Sequence, residues 1–459
     1  MEPFRYHVFV CNQAKPEGVP CCAAHGSGQV LEALRREVNL RGLEDEVQVT
    51  ECGSLGLCES GPNMVVYPDG IWYSCVSPED VPEIVRSHFQ EDTPVERLAR
   101  TDPAVLRAEI LGNREKMFAA RRAREAAGVL PDDLNDRIRG FQESRAVLTA
   151  LELDLFTAIG HGAAATEVAT RLHTDPRATE MLLHALASLS LLVKRDGVFH
   201  NSPAAARYFA EGSRDTARPA LLHTAHLWHR WSNLTDCVRS GTAAPGETPA
   251  EAPCRAASAQ EWTEDFIAAM HRNATERAPL VLRAVGAAGL HRMLDVGGGS
   301  GAYSIAFAKA NPALHADILD TPAVEPIAQR HIQAAGLVDR VRVRAGDLRS
   351  GALGEGYDLV FISAICHMLS PAENQDLLRR ARQALAPAGR LVIQDFILQP
   401  DKTAPRFAAL FALNMLVGTA GGSSYSEPEF AAWLADAGFE QVRHVNLPGI
   451  TALMIASRP

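Results

Sequence analysis

The sequence predicts an α/β chain in three parts. A small α/β module is expected over residues 1–90, a helical middle over 135–254, and a doubly wound parallel sheet ending in a hairpin over 255–459, with a charged helical linker over 91–134. Three observations carry this reading. Six of the nine cysteines lie before residue 80. Strand-like and helix-like runs alternate after residue 285 and finish in two strands with no helix between them. Between these lies the run Leu294-Asp295-Val296-Gly297-Gly298-Gly299-Ser300-Gly301, an apolar stretch that enters four glycines in five residues.

Composition limits the function classes. The 459 residues are 47% hydrophobic, enough for several cores, and the formal charge of -10 argues against a nucleic-acid partner. No apolar run reaches transmembrane length. Met1 to Val10 lacks a charged segment followed by an apolar one, so no signal peptide is expected and a cytoplasmic location is. In a reducing compartment the N-terminal cysteines read as metal-binding rather than disulfide-bonded.

In the N-terminal module, His7 to Cys11 and Val47 to Thr50 read as strands, and Gly28 to Arg41 as an amphipathic helix. Met64 to Tyr67 and Ile71 to Tyr73 flank Pro68-Asp69-Gly70 and predict a hairpin, and Pro78 to Phe89 predicts a closing helix. Cys11, Cys21, Cys22, Cys52, Cys58 and Cys75 fall at strand ends and in loops. Zinc sites favour shorter knuckles than these spacings, whereas thiolates from separated loops suit an iron–sulfur cluster. Zinc, or buried free thiols acting as small apolar groups, are the alternatives.

Residues 5 to 90 resemble the thioredoxin-like [2Fe-2S] ferredoxins. The carriers are His-Val-Phe-Val-Cys at 7–11, Cys22 four residues before Gly26, Cys-Gly-Ser-Leu-Gly-Leu-Cys-Glu-Ser-Gly-Pro at 52–62, and Val-Val-Tyr-Pro-Asp-Gly-Ile-Trp-Tyr at 65–73. The resemblance implies a [2Fe-2S] cluster on Cys11, Cys22, Cys52 and Cys58. Many members have a shorter spacing that would put the third ligand at Ser54, and Cys21 could substitute for Cys22.

The linker is rich in Arg, Glu, Asp and Ala, with Arg114 to Ala127 expected helical. Arg145 to Ile159 and Ala178 to Leu192 carry apolar residues at helical spacing, the latter opened by the cap signal Asp175-Pro176. Val193 to Asn201 reads as a hairpin around Asp196-Gly197. Helices followed by a small hairpin suggest a winged helix. Without a basic recognition helix, a dimerisation and pocket-lining role is expected, and so a homodimer. His223, His226 and His229, with Trp228 and Trp231, read as a polar-aromatic wall of a substrate pocket or a plain interface rather than a metal site, because the first and third histidines diverge around a helix.

In the C-terminal part, Met293 to Val296, Ala316 to Leu319, Val341 to Val343, Leu359 to Ile362 and Leu391 to Ile393 predict the buried strands of a Rossmann-like doubly wound sheet. Gly297, Gly299 and Ala302 also satisfy the dinucleotide fingerprint. The ending decides between the two: Gln441 to Asn446 and Ala452 to Ala456, joined by Leu447-Pro448-Gly449-Ile450, make the terminal hairpin of class I methyltransferases. Asp295 is then placed to meet the methionine amine of S-adenosylmethionine. Asp320 can take both ribose hydroxyls. Gly346-Asp347-Leu348 suits the adenine, and His367 falls at the C-terminal sheet edge.

From Asp136 onward the chain resembles the plant-type, caffeic-acid-like O-methyltransferases and their bacterial relatives, including the bacteriochlorophyll C-20 methyltransferase group. The resemblance implies cofactor contacts at Gly297, Asp320, Asp347, Leu348 and Ser363, a catalytic base at His367, and a supporting carboxylate at Asp395 within Val-Ile-Gln-Asp-Phe-Ile-Leu. The family's second acid falls on Ser424 and a plant lysine on Ser363, while Met270 and Met415 match methionines that clamp the acceptor ring. His367 would remove the proton of a hydroxyl acceptor, oriented by Asp395. The missing acid leaves carbon acceptors open. The expected acceptor is a flat, apolar small molecule, aromatic or macrocyclic. Methyl transfer from a sulfonium needs no electrons, so the cluster is expected to dock a redox protein, sense redox state or keep an acceptor reduced. The alternative function is a redox carrier or sensor whose C-terminal domain only binds ligand.

Overall fold

The computed structural model describes residues 3–15, 19–243 and 259–459, in two compact units, 1–141 and 142–459. Cys254 and the expected boundary at 254/255 lie outside the described residues.

The first unit is built on a five-stranded sheet. Its strands are β1 (Tyr6–Cys11), β2 (Val47–Cys52), β3 (Met64–Tyr67), β4 (Ile71–Tyr73) and β5 (Ala99–Arg100), ordered β2-β1-β3-β4-β5. β1 pairs with β2 in parallel, as a crossover requires, and helix α1 (Ser27–Leu40) makes that crossover. Val30, Leu31, Leu34 and Val38 form its buried stripe, against Val8, Val10, Met64 and Val66 of the sheet. The expected hairpin is β3–β4. The closing helix begins later than expected, as α2 (Val81–Ile84), and widens over Val85–Gln90. The segment expected as a linker also differs: Ala99–Arg100 forms the edge strand against β4, and helix α3 (Pro103–Ala126) follows, capped by Asp102, which accepts from the N–H groups of Ala104 and Val105.

Helix α4 (Asp132–Glu152) carries the chain from the first unit into the second. The helix expected over Arg145 to Ile159 is interrupted. Asp154 adopts a left-handed conformation with φ of 57° and separates α4 from α5 (Leu155–Ile159), held there by Arg218 at 3.2 Å. β6 (Ala163–Ala164), α6 (Ala165–Leu172) and α7 (Pro176–Ser188) follow, the last capped by Asp175. The hairpin around Asp196-Gly197 is β7 (Leu192–Arg195) and β8 (Val198–Asn201), which with β6 makes a three-stranded wing. Then come α8 (Pro203–Tyr208), α9 (Arg218–Ser232) and α10 (Leu234–Ser240).

After the long helix α11 (Ala259–Val285) the alternation begins: β9 (Arg292–Val296), α12 (Ala302–Ala310), β10 (His315–Asp320), α13 (Glu325–Ala334), β11 (Val341–Ala345), β12 (Tyr357–Ser363), α14 (Pro371–Ala384), β13 (Leu385–Asp395), α15 (Arg406–Gly418) and α16 (Glu427–Asp436). The terminal hairpin is β14 (Glu440–Asn446) and β15 (Ala452–Ser457). The sheet order is β11-β10-β9-β12-β13-β15-β14. All neighbours are parallel except β15, which is antiparallel to both β13 and β14. The order reverses between β9 and β12, so a crevice opens at the C-terminal ends of these strands, the usual ligand position in such sheets. Buried cores lie on both faces, around Val360 and Leu377 on one and Phe307 and Phe361 on the other. Among the described residues no helix is long and apolar enough to cross a membrane.

Candidate active site

The glycine turn joins β9 to α12 at the strand reversal. Gly297 has φ of 68°, and a Cβ there would lie 2.3 Å from Ile365 Cδ1, so only glycine fits. Asp295 does not stand at the surface of the turn. It is fully buried beneath it, Oδ2 accepts from Ser304 Oγ at 2.8 Å, and Oδ1 has no hydrogen-bond partner among the described residues. Burial pushes its carboxyl up to about 7, against the opposing hydrogen bond from Ser304. Asp320 ends β10 and accepts from two backbone N–H groups, Gly299 at 2.8 Å and Thr321 at 2.7 Å. Its carboxyl is still raised, because burial outweighs those bonds. Asp347 follows β11 and caps the Arg349 N–H at 2.8 Å, Leu348 packs against the core near Gly297, and Ser363 donates to Gln394 Oε1 at 3.0 Å. The side chains of Ser304, beside Asp295, and His271, which meets Ser300 Oγ at 2.8 Å, belong to the same surroundings. No sequence motif marks either one.

His367 lies in a short turn after β12, and Asp395 ends the neighbouring strand β13. Asp395 Oδ1 meets His367 Nδ1 at 2.7 Å, while Oδ2 accepts the His367 backbone N–H at 3.1 Å. Phe396 N–H donates to Asp395 Oδ1 at 2.8 Å, so the carboxylate is itself fixed. The His367 ring is walled by Phe411, edge-on at 4.9 Å, and Phe396 at 5.6 Å. Phe411 comes from α15, which also carries buried Met415 and Asn414. Asn414 accepts from Trp231 Nε1 at 2.9 Å and ties α9 to this wall. The other aromatic of that cluster diverges: Trp228 lies under the Arg145 guanidinium, 5.5 Å from its ring centroid. His223 is half-buried against Phe266 at 5.1 Å, and its partial desolvation pushes its ring down to about 4. Gly422 packs on the base turn, where a Cβ would sit 2.2 Å from His367 O. Ser424 is 2% exposed and its hydroxyl has no hydrogen-bond partner among the described residues.

In the first unit, β1 and β2 pair Cys11 with Cys52 in register. The Cys11 and Cys22 thiols interact, which lowers Cys11 and raises Cys22. Cys22 Sγ accepts from Asn63 Nδ2 at 3.4 Å, and Cys58 Sγ accepts from Lys15 Nζ at 3.1 Å with Ser54 Oγ at 3.3 Å. Cys21 faces elsewhere, taking the Ala24 N–H at 3.4 Å. Among the described residues no three His, Cys, Asp or Glu stand in an array that could hold a metal ion.

Comparison with known proteins bears on the second unit. Residues 136–211 match the O-methyltransferase dimerisation domain, and residues 231–440 match the O-methyltransferase domain. A 3-hydroxy-5-methyl-1-naphthoate 3-O-methyltransferase of Streptomyces sahachiroi is 33% identical over 331 residues, 71% of this chain and 94% of that protein. The chain belongs to the O-methyltransferase family. The tetracenomycin polyketide synthesis 8-O-methyl transferase TcmO of Streptomyces glaucescens is 30% identical, over 72% of this chain and 97% of its own. The solved structure of PigF with SAH superposes with a TM-score of 0.65 at 27% identity, over 72% of this chain and all of that one, 100%.

As an O-methyltransferase family member the protein is an S-adenosylmethionine-dependent enzyme, and its dimerisation domain supports a homodimer. The reading of the C-terminal domain as a mere ligand binder beside a redox carrier is therefore not favoured. Residues ahead of 136 fall outside both matched ranges, so membership in this family speaks for no ferredoxin module there.

Proposed function

We propose that the enzyme methylates a hydroxyl of a flat aromatic small molecule, with His367 as general base and Asp395 orienting it. The observation that carries this is the two-point hold of Asp395 on His367 inside a wall of Phe396 and Phe411. Nδ1 is taken by the carboxylate, which leaves Nε2 as the ring nitrogen for an acceptor hydroxyl. The charged ring that follows proton removal is stabilised by the same carboxylate. Aromatic walls suit a planar substrate, and the Streptomyces sahachiroi relative is named for a hydroxynaphthoate.

S-adenosylmethionine supplies an already activated methyl group, so the protein's task is orientation and proton removal. The residues around the turn fit it. The backbone of Gly297 and Gly299 allows close approach, and Asp320 at the end of β10 is assigned to the ribose. The orphaned oxygen of Asp295 is assigned to the amine end, acting through the turn. Asp347 and Leu348 are assigned to the adenine, with Ser363 beside them. Labelled methyl transfer from S-adenosylmethionine to a panel of phenols and naphthols tests the reading. Label on oxygen supports it, and label only on carbon would overturn the hydroxyl assignment.

For the first unit the reading is a thioredoxin-like [2Fe-2S] module, with Cys11, Cys22, Cys52 and Cys58 as the ligands and a redox protein as partner. What supports it is the sequence resemblance, together with two thiols that accept hydrogen bonds, Cys22 from Asn63 and Cys58 from Lys15. No step of methyl transfer runs through this group.

A further inference from the structure

The turn 297–301 has one side chain beyond hydrogen, Ser300, set between Gly299 and Gly301 with φ of 57° and 77°. Such a segment has wide conformational freedom and takes its order from whatever holds it. Two elements do so. From β10, Asp320 accepts the Gly299 N–H at 2.8 Å. From the opposite side, His271 of α11 meets Ser300 Oγ through Nδ1 at 2.8 Å, and Ser300 is 4% exposed. His271 is fixed in turn. Its ring stacks on His331 of α13 with centroids 3.9 Å apart and planes 23° from parallel. One turn earlier on α11, Phe266 and Ile267 pack with Val324 and Ile327, and Glu264 meets Arg330 at 3.4 Å. A Cβ at Gly299 would lie 3.8 Å from Ile267 Cδ1.

We propose that His271 is a positioning residue for S-adenosylmethionine, holding the glycine turn in its binding shape through Ser300. This rests on the reading of that turn as the cofactor site. His271 touches the turn and not the base His367, so its effect falls on cofactor affinity. The stack on His331 and the apolar contacts of α11 with α13 make the hold rigid, because the imidazole cannot follow the hydroxyl if the turn moves.

Calorimetry of the full chain with S-adenosylmethionine tests this on six proteins: wild type, His271→Ala, His271→Asn, Ser300→Ala, the double variant of His271→Ala with Ser300→Ala, and Asp320→Ala. His271→Ala and Ser300→Ala should each weaken binding about three- to tenfold, the effect of one hydrogen bond. The double variant should be no worse than either single one, since both remove the same contact. His271→Asn, whose amide reaches the same hydroxyl, should return affinity to within about twofold of wild type, which lost packing alone would not do. If Asp320→Ala weakens binding while both His271→Ala and Ser300→Ala leave it unchanged, the cofactor site stands and this proposal falls. Equal weakening by His271→Ala and His271→Asn, with Ser300→Ala neutral, overturns it as well. An unchanged Asp320→Ala overturns the site reading, and the proposal with it. If His271→Ala does not fold, Ser300→Ala tests the same bond from the other side.

Discussion

Asp395 grips His367 at two points, the ring Nδ1 at 2.7 Å and the backbone N–H at 3.1 Å. The carboxylate sets both the ring's tautomer and the turn that carries it. His367→Ala and His367→Gln are therefore expected to leave S-adenosylmethionine affinity within about threefold and to cut methyl transfer by roughly 10²–10⁴, the usual general-base contribution. Asp395→Asn should cost less, because it orients the base and takes no substrate proton. Single-turnover rates with the true acceptor check this. Near-wild-type turnover in both His367 variants would leave a catalyst that acts by positioning alone.

Ser424, the position the plant-type resemblance assigns to a second acid, has a buried hydroxyl with no hydrogen-bond partner among the described residues. An unsatisfied buried hydroxyl costs about 1–3 kcal/mol. Ser424→Ala should then be neutral or stabilising by about 1 kcal/mol in thermal unfolding, with turnover retained. A large loss of turnover would show that the hydroxyl acts on the acceptor or the base.

Asp295 carries a buried carboxyl pushed up to about 7, with one oxygen orphaned. Its folded value lies above its unfolded one, so its contribution to stability is present in full at low pH and is lost as pH rises through about 7. Asp295→Asn should therefore stabilise the ligand-free protein more at pH 8 than at pH 6, by about 1 kcal/mol, while weakening S-adenosylmethionine binding. Melting curves at the two pH values check the sign. An equal shift at both would place the ionised form in a better-solvated setting than its burial implies.

Much of the second unit was legible because pattern and punctuation agree. The run from Met293 to Ala310 is apolar, then glycine-rich, then helical, and it folds as β9, the turn and α12. Leu447-Pro448-Gly449-Ile450 announced the hairpin that separates this sheet from a dinucleotide fold. The rest depends on contacts distant in sequence. The apolar spacing from Leu148 to Ile159 runs on as if helical, and it is Arg218, far along the chain, that holds Asp154 in the conformation that breaks it. β5 is two residues long and exists only as an edge on β4. Spacing placed Asp295 two residues before Gly297 but could not say that it points beneath the turn. The His271–Ser300 bond joins positions 29 residues apart on different elements and has no sequence signature.

The cysteines give the sharpest test of the first unit. Two adjacent thiols compete for one role, and the geometry separates them. Cys22 faces Cys11 and takes a bond from Asn63, whereas Cys21 caps the Ala24 N–H. A serine hydroxyl can replace the Cys21 cap but cannot serve as a soft thiolate ligand at 22. Anaerobically purified protein is expected to carry about two irons and two sulfides per chain. Cys21→Ser should retain them and the visible absorption, while Cys11→Ser, Cys22→Ser and Cys58→Ser should each lose both. Cys52→Ser and Ser54→Cys examine the third ligand: loss in the first with no rescue by the second places it at Cys52, which is paired in register with Cys11. Full iron in Cys22→Ser would move the second ligand to Cys21, and one zinc per chain without visible absorption would remove the cluster altogether.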